Sequence, residues 1–337
     1  MRDETLKSAV VGAGAIGGIV AGILVHAGYD VEIVSKYREA YEPDNIKNVH
    51  IFGVCGEYYE AVKSVLSVKD LTEKKDIVFI ATKANDCFDA AKELLPYLHE
   101  DSAVVSLQNG ICEDGLAKIL GEERTVGCVV EWSATVHEGG NYEMTDGGEF
   151  IIGKMDGKED SRLKKIKEIL DNILPTRISQ NMTGELYSKL IINACINSLS
   201  VAVGKIPGEF VWSKAIRRVF IKIIEEAMVV ADKLNINVEP RGGGKLNYYY
   251  FISGNSIFSA LKRHIMVFAI GMKIRKITPS SLQSIWKGQK TETDFFNGYI
   301  SRKGKEFNAP TPYNDEILKV IDDIENGRPV SLQALGL

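Results

Sequence analysis

Two groups of residues have the types and the spacing to do chemistry. Lys189, Asn193 and Asn197 recur at i, i+4 and i+8 within Glu185–Leu199. On a helix that spacing makes one narrow polar stripe. The rest of the segment is apolar on every side, so such a helix belongs in an interior, where an unpartnered lysine is expensive. Either the stripe lines a cleft, with Lys189 supplying a proton and the two amides hydrogen bonds, or it is a seam whose lysine reaches solvent while the amides tie helices together. Spacing alone leaves these two readings level. The second group is Gly12-Ala13-Gly14-Ala15-Ile16-Gly17, a G-x-G-x-x-G pattern. It follows the apolar run Leu6–Val11, opens a helix-like segment over Ile16–Ala27 and leads into an alternating strand at Val31–Val34. In that context the pattern is a dinucleotide turn. Gly12 permits the tight turn, and Gly14 lets the backbone approach a pyrophosphate. The helix start at Ala15 and Ile16 offers N–H groups to phosphate, and Gly17 lets the helix pack on the strand.

The end of the second strand selects between cofactors. A carboxylate there would bind the free ribose hydroxyls of NAD. This chain has Ser35-Lys36-Tyr37-Arg38, a hydroxyl and two cations, with no acid before Glu39. That set complements a 2′-phosphate, and NADPH is expected over NADH. A third segment carries polar residues without a decisive pattern: Pro279-Ser280-Ser281-Leu282-Gln283-Ser284 and then Thr291-Glu292-Thr293-Asp294-Phe295-Phe296-Asn297-Gly298. Ser280 is a candidate helix cap. Glu292 and Asp294 read as surface charges on composition alone.

The elements that must position these residues follow from the hydrophobic pattern. Asp76–Thr82 and Ala103–Leu107 are continuous apolar strands, as a buried parallel sheet requires, with helical spacing in Asp86–Leu98 and Asp114–Leu120 between and after them. Val126–Val136, Tyr142–Met144 and Phe150–Ile152 read as antiparallel strands added to that sheet, Leu163–Leu174 as an amphipathic helix and Pro175–Ser179 as a last strand. After about Ser179 nearly everything reads helical: Leu186–Val203, Ser213–Leu234, Ile257–Ile274, Ser280–Gly304 and a final helix from Thr311-Pro312 to about Asn326. The expectation is an α/β N-terminal dinucleotide-binding domain over residues 1–178 followed by an all-α C-terminal domain over 179–337, the latter with long apolar helices that leave room for a homodimer interface.

Composition narrows the partners. The chain has 337 residues, 41 Lys plus Arg against 45 Asp plus Glu, and a net charge of −4, which gives nucleic acid no basic surface to meet. Its five cysteines are odd in number and scattered, and no His/Cys pair has metal-ligand spacing, so neither a disulfide scaffold nor a zinc site is expected. No signal-like segment and no uninterrupted run of about 18 apolar residues is present, so neither export nor a membrane partner is expected and a cytoplasmic, reducing setting is the simplest reading.

Taken together, the motifs make the chain resemble the ketopantoate reductases (2-dehydropantoate 2-reductases) over nearly its whole length. Gly12–Gly17 is similar to the family's N-terminal motif, Thr82-Lys83-Ala84 to its lysine after the fourth strand, and Leu107-Gln108-Asn109-Gly110 to its L-Q-N-G signature. The Lys189/Asn193/Asn197 stripe, Ser280–Gln283, Thr291-Glu292 with Asn297-Gly298, and Thr311-Pro312 match in order. The resemblance implies a Rossmann-type domain followed by a helical one, and NADPH-dependent reduction of a 2-keto acid, ketopantoate, to pantoate on the route to pantothenate. It implies Lys189 as general acid, Glu292 as the holder of a substrate hydroxyl, and Asn193, Asn197 and Ser280 as binders of carboxylate or hydroxyl. It also implies Asn109 beside nicotinamide and substrate, and Lys83 near the cofactor along with Gly12, Gly14, Ala15, Ile16, Gly17, Ser35 and Lys36. The alternatives are a related reductase or dehydrogenase for a different keto or hydroxy acid, and a non-enzymatic NADPH sensor, against which the retention of Lys189 and Glu292 argues. The chain departs from the family pattern at Ser198, Ser284 and Ile277, and its Glu226–Ser280 segment is roughly 20 residues longer, a length at which a loop is usually functional or disordered. That segment includes Gly242-Gly243-Gly244 and Tyr248-Tyr249-Tyr250-Phe251, the latter a core cluster or a substrate wall.

Overall fold

A computed structural model describes residues 6–36 and 45–337. Arg38, expected above to meet a 2′-phosphate with Lys36, lies outside the described residues, as do Tyr37 and Glu39. The chain forms two compact units, Met1–Met182 and Thr183–Leu337, an α/β unit followed by a helical one.

The first unit is built on an 11-stranded sheet. Its strands are β1 (Lys7–Val11), β2 (Asp30–Val34), β3 (Ile46–Gly53), β4 (Tyr58–Val65), β5 (Lys75–Ile80), β6 (Leu98–Ser106), β7 (Thr125–Val130), β8 (Ser133–His137), β9 (Asn141–Asp146), β10 (Phe150–Gly153) and β11 (Thr176–Ile178). The spatial order is β11-β10-β7-β6-β5-β1-β2-β4-β3-β9-β8. β1 pairs in parallel with both β2 and β5, and β5 with β6. These strands are nearly continuous in Val, Ile and Phe because helices cover them: α1 (Ala15–His26), α2 (Ala84–Leu94), α3 (Glu113–Leu120) and α4 (Ser161–Leu170). Val10, Ile33, Phe79 and Val105 are fully buried. The chain leaves β1 toward β2 on one side and returns through β5 on the other, which puts the end of β1 at the point where a crevice opens beyond the strand ends.

One expectation fails here. Val126–Val136 is not one strand. Thr125–Val130 pairs in parallel with β6, whereas Ser133–His137 forms the far edge of the sheet, antiparallel to β9. In the strand order β7 is third from one edge and β8 is the opposite edge, with only Glu131-Trp132 between them in sequence. β9 in turn is parallel to β3, while β10 is antiparallel to β7 and parallel to β11. Apolar alternation identifies a strand, not its neighbour, so one run of eleven strand-like residues concealed two partners.

The second unit holds α5 (Met182–Val203), α6 (Pro207–Phe210), α7 (Lys214–Lys233), α8 (Tyr248–Ile252), α9 (Ile257–Lys273), α10 (Ser280–Trp286), α11 (Asn297–Glu306) and α12 (Pro312–Glu325). Helix α5 is long and apolar enough to cross a membrane, but 72% of its apolar window is buried inside the protein. Polar ties surround it. Asn297 donates to Ala194 O at 3.2 Å and to Asn314 Oδ1 at 2.9 Å, and accepts from Ser198 Oγ at 2.5 Å. One fully buried amide thus links α5, α11 and α12. Glu226 on α7 accepts from the backbone N–H groups of Tyr313 and Asn314, at 2.9 and 3.0 Å, and so caps α12. In the longer segment, Arg241 and Leu246 form an isolated antiparallel bridge around the three glycines. Tyr248 and Phe251 are buried and Tyr249 and Tyr250 exposed, so half of the aromatic run is core.

Candidate active site

The candidate nucleotide residues of the first unit lie at the carboxyl end of β1. Gly12 adopts φ +112°, and a Cβ there would lie 2.7 Å from the Thr82 amide nitrogen beyond β5. A Cβ on Gly17 would lie 1.9 Å from Gly12 O. These two glycines therefore bring helix, turn and neighbouring loop into backbone contact. Gly14 differs: a Cβ there would meet nothing within 4 Å. Its backbone faces open space at the start of α1, a helix with no acidic residue in its first turn and no side-chain cap. The N–H groups at Ala15 and Ile16 are among the four that an uncapped helix start leaves for an outside acceptor. A turn open at its tip, closed behind and lacking negative charge fits a pyrophosphate.

The flanking loops carry the other expected cofactor residues. Ser35 follows β2, is 1% exposed, and its N–H donates to Val65 O at 2.9 Å. Lys36 is exposed, with Nζ 3.7 Å from Asp86 Oδ2 at the start of α2. Both partners are well solvated, so this contact holds Lys36 weakly. Lys83 is the exposed residue before α2. Asn109 lies half-buried in the loop after β6, followed by Gly110 at φ +90°. From the sequence, Gln108 has no role beyond its place in the L-Q-N-G match and Tyr142 none beyond its strand, yet both hold these loops. Gln108 donates through Nε2 to Ile80 O at 2.8 Å and Thr82 O at 3.2 Å, and accepts from Ser106 Oγ at 2.8 Å. Tyr142, on β9, donates to Ala13 O in the glycine turn at 3.3 Å. Burial pushes its phenol up to about 12, so it remains a donor.

The candidate substrate residues of the second unit are built on α5. At about 1.5 Å rise per residue, Lys189, Asn193 and Asn197 stand about 6 Å apart along one face. Lys189 and Asn193 are partly exposed and Asn197 is 7% exposed. Ser280 Oγ donates to Asn197 Oδ1 at 3.4 Å, which joins the stripe to the Ser280–Gln283 motif. Ser280 does not cap α10: Pro279 is the cap residue and Ser280 the first helical one. Proline fixes the extended entry and leaves the serine hydroxyl turned to α5 instead of its own backbone. The side-chain nitrogen of Asn193 is buried and finds no partner among the described residues. Tyr248, from the longer segment, donates to Ser188 O at 2.7 Å, one residue from Lys189.

Glu292 sits before a 3-10 turn, Thr293–Phe295. Its neighbours are pinned: Thr291 gives both its N–H and its hydroxyl to Glu325 Oε1, each at 2.7 Å, and the Thr291 and Thr293 hydroxyls meet at 2.9 Å. Asn297 of the same motif is wholly engaged in joining helices, a structural use that its spacing did not reveal. Of the residues singled out from sequence, the structure groups Gly12–Gly17, Ser35, Lys36, Lys83 and Asn109 on loops beyond the strand ends of the first unit. It groups Lys189, Asn193, Asn197 and Ser280 in the second.

Comparison with known proteins identifies the family and the fold. Residues 8–157 match the family model described as ketopantoate reductase PanE/ApbA, and residues 181–325 match that of its C-terminal part. The 2-dehydropantoate 2-reductase of Pyrococcus horikoshii is 26% identical over 313 residues, covering 92% of this chain and 94% of that protein. A PanE/ApbA family ketopantoate reductase from Ralstonia eutropha JMP134 superposes with a TM-score of 0.79 at 22% identity, covering 96% of this chain and 99% of the other. D-mandelate dehydrogenase, solved with NADH and anilino(oxo)acetate, superposes with a TM-score of 0.80 at 20% identity, covering 98% and 100%. These two structural likenesses establish the fold.

Proposed function

The chain belongs to the ketopantoate reductase family, a family of NADP-dependent oxidoreductases acting on CH–OH groups, and from that premise we propose that it reduces ketopantoate to pantoate with NADPH. The observation that carries the reading is the Asn193 amide nitrogen, buried and unpartnered between Lys189 and Asn197 on one helix face. A donor withheld from water needs an acceptor, and a substrate carboxylate or hydroxyl supplies it. In the first unit, Gly12, Gly14 and Gly17 with the N–H groups at Ala15 and Ile16 hold the pyrophosphate, and Ser35 and Lys36 the 2′-phosphate. Lys83 and Asn109 complete the cofactor side. Bound NADPH supplies a hydride to the ketone carbon. Lys189 then gives a proton from Nζ to the ketone oxygen, so keto acid, NADPH and one proton become hydroxy acid and NADP+. A cation aimed at the developing alkoxide is favourable in a site from which water is excluded. Asn193, Asn197 and Ser280 orient the acid, and Glu292 accepts from the substrate hydroxyl.

A second reading has a specific basis. Ile277, three residues before Ser280, is apolar and 44% exposed, where the family pattern carries a polar residue. A bulkier or more apolar 2-keto acid suits that side chain better. NADPH oxidation over a panel of 2-keto acids, benzoylformate included, separates the two. Turnover with another acid and none with ketopantoate refutes the leading assignment.

The same reading takes the assembly to be a homodimer. On α9, Ile257, Phe258, Leu261 and Ile265 are 87%, 83%, 56% and 58% exposed. The last three border a surface groove of about 430 Å³ with Tyr250, Lys262 and Met266. Open apolar stripes of this kind mark contact surfaces. Paired with a second copy, these side chains would bury roughly 500 Å² on each, about 1,000 Å² in all, the lower bound of a specific interface. Sedimentation of wild type and Phe258→Asp tests this: a monomeric wild type rules it out.

A further inference from the structure

The net charge of −4 conceals an uneven distribution. Of the 41 Lys and Arg, nine fall between Pro240 and Thr291, and of the 45 Asp and Glu none does. That stretch carries +9, and the rest of the chain, with 32 cations against 45 acids, carries −13. Soluble surfaces usually intersperse the two signs, because crowded like charges repel. Two of the nine are spent inside the fold. Lys262 donates to Tyr250 O at 2.6 Å, and Arg263 donates to Ile252 O and Gly254 O at 2.6 Å and to Glu225 Oε1 at 2.8 Å.

Five others flank α10, the helix that opens with Ser280. Lys273 ends α9, Arg275 and Lys276 lie in the link to α10, Lys287 follows Trp286 at its end, and Lys290 comes three residues later. All five are exposed, and among the described residues none makes a side-chain hydrogen bond or an ion pair. The acids nearest to them are Glu209, beside Gly208 whose backbone lies against Arg275 O, then Glu325, which accepts from Thr291, and Glu292. Three acids against five cations leave the surroundings of Ser280 positive. Ser280 itself is exposed. Lys276 is four residues from it, at most about 14 Å along the chain, and α10 puts Lys287 about 10 Å from it. Both separations lie well inside the Debye length of about 30 Å at 10 mM salt and far beyond that of about 3 Å at 1 M.

We propose that Lys273, Arg275, Lys276, Lys287 and Lys290 form a basic collar around α10 that draws the anionic 2-keto acid toward Ser280 and Asn197 and so lowers its KM. The proposal rests on the assignment of Ser280 and Asn197 to the substrate. The collar touches no reacting atom. Its field concentrates the anion beside the site and leaves the chemical step alone.

The test is steady-state reduction of the 2-keto acid that wild type turns over best, at saturating NADPH, from about 10 mM to about 0.5 M NaCl. Wild type is compared with Lys276→Glu/Lys287→Glu, with Lys276→Gln/Lys287→Gln, which removes half as much charge, and with Lys74→Glu/Lys164→Glu. The last reverses two exposed lysines of the first unit and makes the same change in net charge as the first. At low salt the glutamate pair should raise the KM for the keto acid roughly tenfold and the glutamine pair roughly threefold, with kcat within about twofold of wild type. The first-unit pair should match wild type, and all differences should fall below about twofold at 0.5 M. Collar variants that match the first-unit pair at low salt, a loss that salt does not erase, or a change confined to the KM for NADPH overturns the proposal. Ser280→Ala and Asn197→Ala, measured alongside, separate the two failures. If they raise the KM for the acid while the collar variants do not, the site stands and the collar has no role. If neither changes kinetics, the assignment of Ser280 and Asn197 fails and takes the collar's role with it.

Discussion

Replacing Glu113 by Gln should change how the stability of the first unit depends on pH, by an amount the structure sets. The folded carboxyl titrates near 7 against 4.5 for the free group, because it is buried without a cation. Below about pH 4.5 both folded and unfolded chains carry the proton, and Glu113 contributes no pH dependence. Between the two values the unfolded chain has released the proton while the folded chain retains it. Unfolding then releases a proton, and stability falls as pH rises, by about 1.4 kcal/mol per pH unit. Over the interval of about 2.5 units the loss reaches about 3 kcal/mol, and above pH 7 it levels off. Glutamine has no proton to lose, so the stability of the variant relative to wild type should climb by about 3 kcal/mol from pH 4.5 to pH 8. Urea unfolding at several pH values measures this. Trp132, 5% exposed, reports on the first unit, while Trp212 and Trp286, at 64% and 65% exposure, change environment little on unfolding. With unchanged urea slopes, midpoints convert directly to stability. A wild-type-to-variant difference that stays constant over this pH range would refute the reasoning, since it would mean that Glu113 already ionises near its ordinary value in the folded protein.

Four further outcomes follow from the candidate site residues. Lys189→Ala should lower kcat about 100-fold or more with little change in the melting temperature; unchanged turnover removes Lys189 from the mechanism. Gly17→Ala, whose Cβ would stand 1.9 Å from Gly12 O, should destabilise the first unit by about 1–3 kcal/mol. Gly14→Ala, with nothing within 4 Å, should melt like wild type and still bind NADPH more weakly in fluorescence titration, because only the ligand occupies that space. Lys36→Glu should raise the KM for NADPH roughly tenfold and leave that for NADH nearly unchanged; equal effects on both would show that Lys36 does not meet the 2′-phosphate.

What the sequence determined by itself was whatever local periodicity and backbone chemistry encode. The glycine turn between β1 and α1 was legible because only glycine accepts φ +112° at Gly12 and the close approach behind Gly17. The polar stripe on α5 was legible because a helix repeats every 3.6 residues, and the change from α/β to helical was legible because the apolar period changes with it. Tertiary structure alone decided the partners. It split Val126–Val136 between an internal strand and the edge strand β8 of one sheet, since a strand's pattern says which face is buried and not which strand lies beside it. It formed β3 and β4, segments whose mixed polar and apolar residues gave no clear period, and it paired β3 with β9. It turned Ser280 toward Asn197 and gave the cap position to Pro279. It made Asn297 a tie among three helices, although its motif looks like part of the site. Above all it buried Glu113, whose Oε2 accepts the Cys112 N–H while burial pushes the carboxyl up. An acid at a helix start reads from sequence as an ordinary solvated charge, and its protonation state follows only once water has been excluded and the direction of each neighbouring hydrogen bond is known.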